Sequence, residues 1–287
     1  MSLASQALRC VQALAAPGWR ADAVSAFFRG ALRCIAPRKG RIDSNLRLVY
    51  PEKDPAWRAC IRRKLYEHLA WTVTELMVLQ RDTSQALDWV EDVQGLSFRE
   101  EVFSRKGGAL ILSAHFGNWE LLGSWSAQTF GLQKDHPFYV LVQDIHDPGV
   151  FSLIQEYRGR SGLATLPKDT PVPQLVRLLK EGGRIAVLTD VSWVGGVRLP
   201  FMGQVCTNTV GPAILSILAS VPILPFGIYR RAPFRHEVRF FPPLSASEGG
   251  DKRSRAEALT LRMNQVLETM ITPRPELWFW MHNRWKN

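Results

Sequence analysis

Hydrophobic positions along the chain fall into short uninterrupted apolar runs separated by segments in which apolar residues recur at helical spacing. An uninterrupted run predicts a strand covered on both faces, because such a strand needs apolar side chains at every position. Strands are predicted in this way at 107–114, 138–142, 184–189 and 223–229. Helical spacing predicts intervening helices at 121–130, 173–180, 213–220 and 252–271. The alternation predicts an α/β fold with a mostly parallel central sheet flanked by helices.

The N-terminal part of the chain carries a helical pattern of its own, with predicted helices at 3–15, 22–35 and 55–80. Residues 1–80 hold 13 Lys+Arg and 6 Asp+Glu, a net charge of +7 out of the total of +10. An apolar stripe that includes Phe27 and Phe28 runs beside arginines, as in a helix that lies on a membrane surface. The same stripe could pack on the protein's own core. We expect residues 1–82 to form a helical membrane-docking region and residues 83–287 to form an α/β domain that carries the activity, the two together making one continuous globular unit.

One segment is long and apolar enough to suggest a transmembrane helix. Residues 209–229 contain no charged side chain over 21 positions, and about 20 apolar residues suffice to span a bilayer. Gly211, Pro212, Pro222 and Pro225 interrupt this stretch. Because proline ends helices, the segment is predicted to be a buried helix followed by a buried strand.

The candidate chemistry lies in the sequence His115-Phe-Gly-Asn-Trp-Glu120, directly after the strand predicted at 107–114. If Asn118 caps the following helix, Glu120 falls in its first turn, where the helix dipole favours a carboxylate. Gly117 permits a turn tight enough for the histidine and the glutamate to meet. The pair would then act as a catalytic dyad, with His115 as general base and Glu120 orienting its ring.

The same six residues have a purely structural interpretation. The histidine could cap the end of a strand, and the glutamate could merely favour the helix start. The position of the motif favours the catalytic interpretation, because ligands of α/β sheets bind at the carboxyl ends of the strands.

This motif, in the form H-x-x-x-x-[DE], resembles motif I of the lysophospholipid acyltransferase superfamily. Together with the C-terminal sequence Pro275-Glu-Leu-Trp-Phe-Trp-Met-His-Asn-Arg-Trp285, it resembles the lipid A biosynthesis (lauroyl/myristoyl) acyltransferase branch. The resemblance implies transfer of a fatty acyl chain from an acyl carrier protein thioester to a hydroxyl of a lipid A precursor or related glycolipid. Coenzyme A is the alternative donor. A thioester is activated enough that neither a cofactor nor a metal is expected.

Further site residues follow from the resemblance. Arg158 matches an arginine that ends a helix in the family, although the helix dipole alone also favours arginine there. Asp190 follows the strand predicted at 184–189 and matches a family aspartate, and Arg198 lies in a loop resembling "[VF]-x-[VL]-P-F-F-G". We predict that these three residues and Asn118 bind substrate. His282 could be a second catalytic histidine, but a structural role is the expectation.

The basic surface, with a sequence pI of about 9.8, suits an anionic membrane, an acidic protein such as acyl carrier protein, or nucleic acid. Nucleic acid ranks last as a partner, because the sequence contains no recognition motif. We expect a peripheral or weakly anchored protein on the cytoplasmic face of the inner membrane. The rival hypotheses are a non-catalytic lipid-binding scaffold on the same fold and an acyltransferase acting on a different glycolipid or a lysophospholipid.

Overall fold

The structure, a computed structural model, describes residues 16–130, 138–142 and 148–285. The helix predicted at 3–15 lies outside these residues. The helices are α1 (Trp19–Ile35), α2 (Lys39–Val49), α3 (Pro55–Leu79), α4 (Gln85–Trp89), α5 (Leu96–Phe103), α6 (Trp119–Phe130), α7 (Pro148–Arg160), α8 (Val172–Lys180), α9 (Gly211–Ala219) and α10 (Lys252–Ile271), with a 3₁₀ turn at Pro275–Leu277. The strands are β1 (Val90–Gln94), β2 (Ala109–Ser113), β3 (Phe138–Val142), β4 (Ala164–Pro167), β5 (Arg184–Leu188), β6 (Val197–Phe201), β7 (Gln204–Asn208), β8 (Ile223–Ala232) and β9 (Arg235–Phe240).

A seven-stranded sheet in the order β1-β9-β8-β2-β5-β3-β4 forms the centre of the fold. Strands β8, β2, β5, β3 and β4 run parallel to one another, whereas β9 is antiparallel to β8 and β1 follows the direction of β9. The predicted α/β fold with a mostly parallel central sheet is therefore confirmed.

Two apolar clusters cover the two faces of this sheet. Alternate residues of β2 divide between them: Leu110 and Leu112 face one cluster, while Ala109 and Ile111 face the other. Every residue of β2 is buried, which is the reason its sequence is continuously apolar rather than alternating.

Helix α3 connects the N-terminal helices to this core. Its buried residues include Leu65, which packs in the same cluster as Leu110 and Leu112. Helix α1 packs along α3 and leaves Trp19, Phe27 and Ile35 exposed. Within the described ranges, no helix combines the length and hydropathy that crossing a bilayer requires.

The segment 197–203, expected to be a loop, contains strand β6, which pairs with β7 to form an antiparallel hairpin. Its two-residue turn, Met202–Gly203, has positive φ at both positions (52° and 73°), the conformation that tight hairpins favour. The sequence analysis also left out β4 and β7. Both are short: no residue of β4 is fully buried, and only two of the five residues of β7 are, so they lack the continuous apolar signal of β2.

Candidate active site

The motif residues lie in a tight turn between β2 and α6. Gly117 in this turn has φ +60°, and a Cβ atom there would stand 1.8 Å from the carbonyl oxygen of Ile228. Only glycine fits that position. The C-terminal segment holds the turn in place, because the amide of Gly117 donates to Leu277 O (2.9 Å) and the amide of Phe279 donates to His115 O (2.9 Å).

Strand register brings His115 and Asp190 together. Strands β2 and β5 are parallel neighbours, with Ser113 opposite Leu188, so residues two positions beyond each strand end lie side by side. His115 Nδ1 is 2.9 Å from Asp190 Oδ1, and the His115 backbone amide donates to Asp190 Oδ2 at 2.9 Å. The indole of Trp278 donates to the same Oδ2 at 2.8 Å.

The carboxylate of Asp190 is fully buried, whereas the side chain of His115 is 25% exposed. Burial opposes charge on both groups, but their mutual attraction outweighs it. The pKa of Asp190 is held well below its usual range by the charge and hydrogen bond of His115, helped by Trp278. Burial lowers the pKa of His115, but the charge and hydrogen bond of Asp190, with a contribution from Glu120, leave that pKa raised. Because Asp190 occupies Nδ1, Nε2 of the ring is the nitrogen available to a substrate.

The predicted contact between His115 and Glu120 requires correction. The carboxylate of Glu120 is engaged by Arg158, whose Nη2 and Nε donate to its two oxygens at 2.7 and 3.1 Å. This bidentate pair is mostly buried, with side chains 11% and 15% exposed. Asp190 takes the position at His115 Nδ1 that was expected for Glu120. Glu120 acts on His115 only through its negative charge, which helps to raise the pKa of the ring.

Asn118 caps α6 as predicted, since its Oδ1 accepts the amide of Leu121 at 3.1 Å, and its Nδ2 donates to Glu75 Oε2 at 2.8 Å. The side chain has no solvent exposure. Asn118 therefore supports the turn that carries His115 from beneath, and its predicted contact with substrate stays a prediction.

Glu75 belongs to a buried polar network that sequence analysis missed. Its Oε1 accepts hydrogen bonds from Arg230 Nη1 and from the Phe234 amide (3.0 Å). The same oxygen lies 3.1 Å from Nε2 of His236. Arg230 also donates from Nε to His68 Nδ1 at 3.1 Å. Burial raises the pKa of Glu75, but the charges of Arg230 and His236 reverse this and hold it well below its usual range. A glutamate in the middle of an amphipathic helix could have signalled this network, because buried carboxylates need partners.

His282 lies closer to the catalytic histidine than its expected structural role required. The ring centroids of His115 and His282 are 4.7 Å apart. Burial, together with the charges of His115, Arg38 and Arg284, lowers the pKa of His282 to about 4 despite the attraction of Asp190. Its Nε2 is buried and has no hydrogen-bond partner among the described residues. A neutral imidazole with an unpartnered polar atom therefore borders the ring of His115.

Arg198 is exposed on β6, opposite Thr207 in the hairpin. Among the described contacts, none joins it to His115 or Asp190, and the substrate role predicted for it stays a prediction.

An apolar cleft, partly open to solvent, lies beside Glu120 and Arg158. It lies between α6 and α7 and the strands β2, β3, β5 and β8. Its lining residues are mostly apolar: Ser113, Trp119, Glu120, Leu122, Gly123, Phe138, Val140, Arg158, Leu163, Ala186, Leu188 and Phe226. The geometry thus joins a histidine oriented by an aspartate, a buried ion pair and an apolar cleft at the carboxyl edge of the sheet.

Comparison with known proteins gives the family of this chain. The sequence profile of the family described as "Bacterial lipid A biosynthesis acyltransferase" matches residues 2–287. The chain belongs to this family of acyltransferases.

Individual relatives are more distant. The chain is 26% identical over 263 residues to the lipid A biosynthesis lauroyltransferase of Escherichia coli, an alignment that covers 89% of this chain and 81% of that protein. It is 24% identical over 183 residues to the phosphatidylinositol mannoside acyltransferase of Mycolicibacterium smegmatis. That alignment covers 62% of this chain and 57% of the relative, less than two thirds of its length. The family and both relatives confirm the resemblance inferred from the two sequence motifs.

Proposed function

We propose that this protein transfers a fatty acyl chain from an acyl carrier protein thioester to a hydroxyl of a lipid A precursor or a related glycolipid. The observation that carries the proposal is the bond between His115 Nδ1 and Asp190 beside an apolar cleft. The bond leaves Nε2 free to accept a proton, and the cleft offers an apolar environment for a hydrocarbon chain.

In the proposed reaction, Nε2 of His115 removes the proton of the acceptor hydroxyl as its oxygen attacks the thioester carbonyl. An oxyanion forms on that carbonyl, and its collapse breaks the carbon–sulfur bond. The leaving thiolate takes the proton from the imidazolium, which yields the ester and the free carrier thiol. Asp190 keeps the ring in the correct tautomer and stabilises the imidazolium. No step of this scheme uses a metal or a cofactor.

Glu120 and Arg158 have a positioning role in this scheme. Their ion pair lines the cleft, where it fixes the wall next to the reacting carbonyl, and the charge of Glu120 helps to keep the pKa of His115 raised. His282, neutral and directly beside His115, supplies a polar atom close to the place where the oxyanion forms.

The proposed location is the cytoplasmic face of the inner membrane, with peripheral attachment. Exposed Trp19, Phe27 and Ile35 on α1 and the basic N-terminal region support it, because apolar side chains beside cations favour an anionic lipid surface.

Two glycolipids are candidate acceptors, because the relatives include a lipid A lauroyltransferase and a phosphatidylinositol mannoside acyltransferase. The test supplies acyl carrier protein thioester with a lipid A precursor and, in parallel, with a phosphatidylinositol mannoside. We expect transfer to at least one, and a loss of about 10²–10⁴-fold in turnover for His115→Ala. Full activity in that variant would contradict the mechanism. Transfer from coenzyme A thioester but not from the carrier protein thioester would contradict the proposed donor.

A further inference from the structure

A tight turn three residues after Asp190 presents apolar side chains to solvent. The turn Trp193–Gly196 is closed by a bond from the Gly196 amide to Trp193 O (3.2 Å), and Gly195 within it has φ +76°. At its tip, Val194 is 94% exposed and Trp193 is 46% exposed. Packing within the protein therefore does not explain these two side chains.

The turn is held firmly against the hairpin of β6 and β7. The hydroxyls of Ser192, just before the turn, and Thr207, in β7, form a hydrogen bond, with Oγ and Oγ1 3.2 Å apart. A Cβ atom at Gly196 would stand 2.2 Å from Asn208 O, so the backbone of the turn contacts β7 directly. Such bracing keeps the apolar tip in one place on the surface.

The turn borders the candidate active site. Three residues of chain span at most about 11 Å, so Trp193 lies within that distance of Asp190. A second exposed apolar residue, Ile35, precedes Arg38 by three positions, and Arg38 is near enough to lower the pKa of His282. Exposed apolar side chains from two separate elements thus lie within three residues of groups that act on the two histidines, Asp190 and Arg38.

We propose that the turn Trp193–Gly196 inserts into the surface of the lipid layer that carries the acceptor, and so seats the opening of the active site against lipid. This inference rests on one part of the proposed function, namely that the acceptor is a lipid held in a lipid layer. Tryptophan favours the region between headgroups and acyl chains, and a tip valine suits the apolar side of that boundary. Arg198, Pro200 and Val205 are exposed on the adjacent hairpin, where the arginine can meet lipid phosphates.

An acidic protein partner fits this surface less well. Docking of such a partner relies on clustered cations. The tip itself offers Trp193 and Val194, and the neighbouring hairpin strands add the exposed side chains of Arg198, Pro200 and Val205, which do not form a cluster of cations. A lipid surface accepts both the apolar tip and the flanking charge.

The experiment places an environment-sensitive dye at the tip. Cys10, Cys34 and Cys60 are replaced by serine so that the dye attaches at one position only. Cys206 is kept, because it is 2% exposed and burial protects its thiol from labelling. Val194→Cys in this background receives a nitrobenzoxadiazole group. The matched control is Leu96→Cys, because Leu96 is an exposed apolar residue (38%). It follows β1, which runs opposite to β8 and β2, so it lies at the end of the sheet away from the candidate site. Both labelled proteins are mixed with vesicles of phosphatidylglycerol and phosphatidylcholine, and binding is checked by co-sedimentation.

We expect a blue shift and an intensity gain for the dye at position 194 and no change at position 96. We also expect Trp193→Asp with Val194→Asp to weaken vesicle affinity at least about tenfold, while unfolding and transfer to a detergent-dispersed acceptor stay unchanged. An unchanged dye at position 194 on vesicle-bound protein would overturn the proposal. A shift produced by acyl carrier protein without vesicles, and by vesicles not at all, would assign the tip to a protein partner instead. Because the dye reports insertion without turnover, its result is independent of whether the proposed acyl transfer is found.

Discussion

His115 Nδ1 lies 2.9 Å from Oδ1 of Asp190, and the other oxygen of that carboxylate accepts both the backbone amide of His115 and the indole of Trp278. The carboxylate is therefore fixed by three donors from two segments of the chain. An acid so held can orient the imidazole, because it cannot turn away to another partner. Asp190, rather than Glu120, is therefore the residue that orients the His115 ring, as the proposed mechanism requires of the partner of a general base.

Asp190→Asn should reduce kcat/KM by about 10²–10⁴-fold, because an amide stabilises neither the correct tautomer nor the imidazolium. The pH profile adds a second readout. His115 acts as a free base and its pKa is raised, so wild-type activity should rise with pH through a value above the ordinary 6.5 for histidine. Loss of the Asp190 charge should move that limb to lower pH. Asp88→Asn, at an exposed carboxylate on α4, is the control. If the rise of activity with pH occurred at the same pH in Asp190→Asn as in the wild type, Asp190 would not set the pKa of His115.

Glu120→Gln and Arg158→Gln should each raise KM more than they lower kcat, because the ion pair shapes the cleft and does not transfer the proton. The double variant should be less impaired than the sum of the single variants, with a coupling of about 0.5–3 kcal/mol, as expected for residues in direct contact. Acyl-transfer kinetics and denaturant unfolding of all four proteins measure this cycle. If Glu120→Gln alone lost as much turnover as His115→Ala, the assignment of the orienting role to Asp190 would be wrong.

Glu75→Ala should lower the free energy of unfolding by about 3–5 kcal/mol, because it leaves the Arg230 charge buried without its partner. Glu67 lies on the same helix, is 46% exposed and pairs with Arg29 at 3.8 Å, so Glu67→Ala should cost less than about 1 kcal/mol. Thermal or urea unfolding compares the two. Equal costs would show that the buried network contributes nothing special.

Acid stability gives a separate test of Glu75. The folded pKa of Glu75 is lowered, so its contribution is present above the unfolded value of about 4.3 and is lost as pH falls toward the folded pKa. Wild-type stability should therefore decline below about pH 4.3 more steeply than that of Glu75→Ala. Parallel curves for the two proteins would contradict this linkage.

His282→Ala should lower kcat by about 10²–10³-fold if the ring donates to the oxyanion, whereas His282→Gln should retain part of the activity through its amide. Since the pKa of His282 is about 4, neither variant should remove the pH limb that belongs to His115. Single-turnover rates and melting temperatures distinguish the roles. A loss of stability with unchanged turnover would return His282 to its expected structural role.

Much of the site was accessible from residue patterns. The continuous apolar run at 107–114, followed by a histidine and a capped helix, correctly predicted a turn between a buried strand and α6 that carries His115. Asn118 was expected to cap α6 and does so, because a local bond to the third residue of a helix depends only on nearby sequence. Its partner Glu75 is 43 residues away, and nothing local indicates that pairing.

The sequence by itself determined the order of the continuously apolar strands and the helices between them, and the presence of His115 at the end of one such strand, because burial on both faces leaves a direct pattern of apolar residues. It also supplied Glu120, and the family resemblance supplied Arg158 and Asp190, but the sequence paired the histidine with Glu120, which the structure instead pairs with Arg158. Tertiary structure decided the pairing: the register of β2 against β5 sets Asp190 beside His115, and the end of α7 brings Arg158 to Glu120. Spacing along the chain could not reveal this, because 75 residues separate His115 from Asp190 and only the packed sheet fixes their distance.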